Sequence, residues 1–143
     1  MPYHDVGEEL RLYSDSYEAY LAVRYTAQSA ISRGLVVCVD QPSGPIKPVP
    51  ASGNEADMPI GVAVENIAQG EKGWVAVCGR VYVQPNEEVS PVAGYIIYCS
   101  SSVAGVVEQA ANVGFANHWR EVGHWVEDNE ESGALTLAQI HFN

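Results

Sequence analysis

From about residue 26 onward, apolar residues come in short runs and period-two alternations, each bounded by glycine, proline or a polar turn. That pattern predicts many short β-strands. Residues 35–39 form a continuous apolar run, as expected of a strand covered on both faces. Residues 60–65 are rich in valine, and a turn follows at Gln69-Gly-Glu-Lys-Gly73. Residues 74–83 alternate, with Trp74, Ala76 and Cys78 and then Val81 and Val83 at the apolar positions. Gly79 is placed there for a bulge or a close backbone approach. Further strands are predicted at 95–99, 106–109, 122–126 and 135–142. Residues 41–59 contain prolines at 42, 45, 48, 50 and 59, which exclude a helix and leave an edge strand or an ordered loop. The predicted fold is all-β, a small barrel or sandwich.

The elements repeat. Gly34, Gly44, Gly53, Gly61 and Gly73 are answered by Gly94, Gly105, Gly114, Gly123 and Gly133, at offsets of 60, 61, 61, 62 and 60 positions. Flanking residues agree in kind: 34–39 matches 94–99, 60–66 matches 122–128, and 74–77 matches 134–137. Order and spacing together indicate a domain built as two related halves. The organisation read from this is an N-terminal arm over 1–25 and a duplicated β domain over 26–143, with repeat units at about 30–83 and 90–143.

The first 25 residues differ from the rest, being acidic, tyrosine-rich and nearly free of glycine. Leu10, Tyr13, Tyr17, Tyr20 and Leu21 fall three and four apart, one face of a short helix that Ser14 or Ser16 could cap. The segment reads equally as an extended arm whose tyrosines lie on a partner, since tyrosine offers rigid apolar area with a polar tip. Tyr13, Tyr17, Tyr20 and Leu21 are the candidate contact residues, and the arm is expected to be mobile until a partner orders it.

Composition narrows the partners. The chain has 143 residues, 47% hydrophobic and 17% charged, which suits one globular domain. Eighteen acidic against seven basic residues give a net charge of −11, which repels nucleic-acid phosphates and anionic lipid. No nucleic acid and no membrane is therefore expected among its partners. Cys38, Cys78 and Cys99 stand far apart in apolar runs and are expected to be free thiols, formed in a reducing cytoplasm. No apolar stretch approaches ~20 residues, and the start lacks the layout of a signal peptide.

Candidate chemistry is sparse. His118 and His124 are each followed by tryptophan but lack zinc-type spacing, and no further ligand pattern accompanies them or His4 and His141. The acidic run 127–131 lacks the spacing and central glycine of a calcium loop and reads as a solvated turn. No phosphate-cradling loop or nucleophile elbow is present. The expectation is a protein that is no enzyme, with no catalytic residues, no metal and no cofactor. Trp74, Trp119 and Trp125 leave open a sugar-binding surface, and with it the alternative of a carbohydrate-binding β module of a phage fibre or surface protein. A weaker option is a small hydrolase built on His118, His124 and the acidic residues.

Ile31-Ser-Arg-Gly34 entering a valine-rich strand, the run 59–65, Gln69-Gly-Glu71 and the strand 75–81 together resemble the head decoration (capsid cement) proteins of tailed bacteriophages. Residues 121–127, with the strand over 135–142, resemble their closing hairpin. The resemblance implies a structural protein, made in the host cytoplasm, that sits on the exterior of the virion capsid. It further implies the major capsid protein as partner, stabilisation of contacts between capsomers, and a homo-oligomer, most simply a trimer.

Overall fold

The computed structural model describes residues 3–7, 9–39, 45–51, 57–111 and 120–142, and every regular element among them is a β-strand. The strands are β1 (Tyr3–Gly7), β2 (Leu10–Ser14), β3 (Ala19–Thr26), β4 (Val36–Val39), β5 (Ile46–Pro48), β6 (Pro59–Ala63), β7 (Lys72–Val83), β8 (Ile96–Cys99), β9 (Val107–Ala110), β10 (Glu121–Trp125) and β11 (Thr136–Ile140). All strand pairings are antiparallel and join one curled sheet. The proline-rich stretch supplies β5, a short strand laddered with β4, and Pro59 opens β6. Gly44, Gly53 and Gly114 of the glycine series lie outside the described residues.

The two halves share one strand order. β4 lies between β5 and β6, with β6 beside β7; β8 lies between β9 and β10, with β10 beside β11. Register agrees residue by residue. Val36 faces Val62 and Val37 faces Gly61, as Ile96 faces His124 and Ile97 faces Gly123. One residue is then skipped in each half, so that Cys38 meets Pro59 and Tyr98 meets Glu121. The same bulge sits at the same place twice.

The repeat also extends into the segment read as an arm. Tyr25 faces Gly73 and Arg24 faces Trp74 between β3 and β7, just as Val83 faces Thr136 and Tyr82 faces Leu137 between β7 and β11. β3 is thus the opening strand of the first half. The twelve-residue β7 closes that half with its first part and opens the second half with its last. Parallel bridges from Ala27 to Ile46 and from Pro85 to Val107 curl each five-strand unit back on itself. In this register Gly73 answers to Thr136, and the partner of Gly133 is Gly70, not Gly73. Both glycines hold a left-handed backbone (φ 81° and 75°) and are followed by matching turn bonds, Glu71 N–H to Ala68 O at 3.0 Å and Ala134 N–H to Glu131 O at 3.4 Å. A turn that needs φ > 0 selects glycine, whereas Gly73 sits within a strand, where no such need exists.

The short helix that the spacing over 10–21 allows does not form; the segment is extended, as β2 and β3. The same residues also alternate with period two, and β3 gains hydrogen bonds along its whole length from β7. Tyr20 and Ala22 thereby enter the core, at 6% and 1% exposure. The division at residue 25 accordingly falls inside β3.

Two apolar clusters result. Val37, Ile46, Ala63, Ile67 and Val75 fill the first half. A larger cluster joins Ile97, Val107, Trp125 and Ala138 of the second half to Val36, Cys38, Val62 and Ala76, which point out of the first half. The run 35–39 is covered on both faces for this reason: alternate residues serve different cores.

Candidate functional site

The candidate residues of the first segment gather where β2, β3 and β7 lie side by side. Tyr13 faces Tyr20 across the β2–β3 pair, with rings stacked 5.1 Å apart at 17°. Tyr20 in turn faces Gly79, whose φ of 112° and crowded Cα, against Ala19 O and Tyr20 Cα, leave no room for a side chain. Leu12 faces Leu21, which faces Cys78. Between these rows lies an open apolar groove of about 420 Å³ lined by Leu12, Tyr13, Tyr20, Leu21, Cys78 and Gly79 among others. Leu10 and Leu12 on its β2 side are 37% and 43% exposed.

Tyr17 does not line the groove. It stands 62% exposed on the β2–β3 turn, which Asp15 organises. Asp15 Oδ1 accepts the N–H groups of Tyr17 (2.7 Å) and Glu18 (2.6 Å), and Oδ2 accepts the Tyr13 hydroxyl (2.7 Å). The Tyr13 hydroxyl first, and then these backbone bonds, hold the Asp15 carboxyl below its ordinary value. Glu18 is buried and ties the turn to the body, accepting Arg33 Nη2 at 3.4 Å and the Tyr82 N–H at 3.2 Å. Arg33 lies 5.5 Å from the Tyr82 ring centre. The turn therefore presents an aromatic ring from a fixed support.

Of the four candidates, the structure unites Tyr13, Tyr20 and Leu21 and sets Tyr17 on the adjoining turn. Sequence reading missed Leu12, whose alternation with Leu10 was the available signal. It also missed Cys78 and Gly79, which reach the site only through sheet pairing.

Other candidates are dispersed. Trp125 is 0% exposed, and Trp74 lies under Arg11, whose guanidinium carbon sits 4.2 Å from the ring centre. Neither offers a face to a sugar; Trp119 and His118 lie outside the described residues. His124 and His141 are 6.2 Å apart, with Glu121 Oε2 3.4 Å from His141 Nε2. Among the described residues no three His, Cys, Asp or Glu side chains cluster as metal ligands would. Cys38 and Cys99 are buried and form no disulfide, but Cys78 is exposed rather than a core residue, because the bulge at Val77 turns it outward.

No family model matches this chain, and no curated protein is similar enough to count as a relative. Among solved structures, the crystal structure of the head fiber gp8.5 N base of bacteriophage phi29 matches with a TM-score of 0.55. The match is 16% identical and covers 83% of this chain and 92% of that one. The class so defined is an all-β module sharing the fold of that fibre base.

Proposed function

We propose that this chain is a structural protein of a tailed-phage head, a decoration or cement protein that binds the capsid exterior as a homo-oligomer, most simply a trimer, and acts by binding alone. The observation that carries the reading is the fold shared with a phage head-fibre base over nearly all of that base. The groove supports it: an apolar cleft with a rigidly mounted, exposed tyrosine beside it suits a protein partner, because aromatic anchors in desolvated pockets dominate such contacts. The carboxylate residues of the acidic turn at 127–131 are exposed. A clamp of this kind would hold neighbouring capsomers against internal pressure, with many weak contacts adding through avidity.

The test compares virions with and without the protein. Cryo-electron microscopy should place it on the head exterior, and heads lacking it should release DNA sooner on heating or osmotic shock. Equal release rates would overturn the cement role.

A further inference from the structure

We propose that the outward face of β2, β3, β7, β11, β10 and β8 is where one copy of this chain packs on a second, a contact that rests on the homo-oligomer in the reading above. Cross-strand register lays Ile96, His124, Gln139 and Arg80 in one row across this face. Leu12, Leu21 and Cys78 form the adjoining row. The row between them, which carries Ile97, Ile140 and Tyr20, turns inward and is buried.

The first argument comes from the duplication. The same row in the first half is Val36, Val62, Ala76 and Ala22, each at most 1% exposed and part of the cluster that spans both halves. The first half therefore has this face covered by the rest of its own chain. The second half has the equivalent face uncovered among the described residues, half-exposed at Ile96, Tyr98, His124 and Gln139. Where valine and alanine stand in the buried copy, the open copy carries Ile96, His124, Gln139 and Arg80, a row that mixes apolar area with polar side chains and holds no carboxylate. That chemistry suits a surface that meets water first and protein later.

Charge selects the occupant. Two chains of −11 repel unless they meet where carboxylates are sparse. Within the second half, six of the carboxylates lie in turns, at Glu87, Glu88, Glu127, Asp128, Glu130 and Glu131. Among the described outward positions of these six strands the one carboxylate is Glu121, which lies beside His141. At the margin, Glu108 is turned to Ser100 Oγ (2.6 Å) and Asn86 Nδ2 (2.8 Å). The face is thus a broad part of the described surface that another copy of this acidic chain can approach. Six strands spaced about 4.8 Å apart span roughly 24 Å, close to the ~28 Å width of a standard patch of ~800 Å² per partner.

Cys78 reports on the contact directly, being exposed in the single chain and central to the face. Maleimide alkylation of the native protein across a dilution series, alongside sedimentation analysis, is the test. Cys78 should react at least tenfold more slowly in concentrated, assembled protein than in dilute monomer. Gln139→Glu and Ile96→Glu should shift the sedimenting species to monomer without lowering Tm appreciably, while Val103→Glu, exposed elsewhere, should not. A monomer at every concentration, or an oligomer that keeps its mass in both face variants with Cys78 still reactive, would overturn the proposal. An oligomer with this contact that is absent from virions would leave the contact standing and sink the head-protein reading instead.

Discussion

Glu65 and Glu127 accept the same hydrogen bond, 62 positions apart: Glu65 Oε2 from the N–H of Trp74 at 3.3 Å, and Glu127 Oε1 from the N–H of Leu137 at 3.2 Å. The next residues match as well, Asn66 Oδ1 taking the N–H of Arg33 (2.9 Å) and Asp128 Oδ1 that of Ala93 (2.8 Å). In each half a Glu–Asn or Glu–Asp pair pins the end of one strand to the start of another. Part of the acidic character near residue 127 is thereby structural, although the side chains are solvent-exposed.

Removing either glutamate should have similar and modest effects. Glu65→Ala and Glu127→Ala are each expected to lower stability by about 1 kcal/mol or less, since a single net hydrogen bond is worth about 0.5–1.5 kcal/mol and these are exposed. The double variant should show nearly the sum, because distant sites add. Chemical denaturation of the three variants checks this; a strong excess in the double variant would mean that the halves are coupled through these bonds.

The tyrosines of the first segment should separate by burial. Tyr20→Ser removes a ring that is 6% exposed and stacked on Tyr13, and should cost about 3 kcal/mol or more. Tyr17→Ser, at a 62% exposed position, should leave Tm within the small range of ordinary surface changes, about 0.5 kcal/mol. Thermal denaturation of the two variants decides it. The arm expected over 1–25 is thus part of the domain body at Tyr20, because β3 is a core strand.

Gly79→Ala should be among the more damaging single changes. The backbone there is left-handed, and a Cβ would strike Ala19 O and Tyr20 Cα. A cost of about 2–4 kcal/mol is expected from clash and strain together. Gly70→Ala meets nothing within 4 Å and retains only the strain of its φ of 81°, so about 1 kcal/mol is expected. Comparable denaturation midpoints for the two would contradict the close approach at Gly79.

Thiol reactivity should single out one cysteine. Burial pushes the Cys99 thiol up to about 12, with Arg120 opposing the shift, and Cys38 is fully buried. Below pH 9 the native monomer should take up one maleimide, at Cys78, and the denatured chain three. Mass spectrometry of the labelled protein checks both numbers.

The turn bearing Tyr17 should hold together in acid longer than an ordinary aspartate would allow. The Asp15 carboxyl is depressed below 3.8 by the Tyr13 hydroxyl and the backbone bonds. A depressed carboxyl contributes stability above its unfolded value and loses it as pH falls through the folded value. The amide signals of Tyr17 and Glu18 should therefore titrate with a midpoint below 3.8. Movement centred above that value would show that Asp15 does not cap the turn.

Strand character, the all-β class and the matching of 60–66 with 122–128 were legible in the chain itself. Period-two alternation and glycine spacing are local properties, and they survive folding. Local signals ran out at two kinds of position. One is the segment 10–21, whose spacing suits a helix and a strand alike; the hydrogen bonds offered by β7 decided it, and pulled Tyr20 into the core. The other is register late in the repeat, where a three-position drift pairs Gly70 with Gly133 through turn geometry that composition does not reveal. Which residues share the groove was decided by tertiary structure alone. Leu12 and Cys78 are 66 positions apart, and only the β2–β3–β7 pairing makes them neighbours. The same is true of the two faces of the repeat. Val62 and His124 occupy one place in one motif, and whether that place is buried or open depends on what the rest of the chain lays over it, a long-range fact that no local pattern carries.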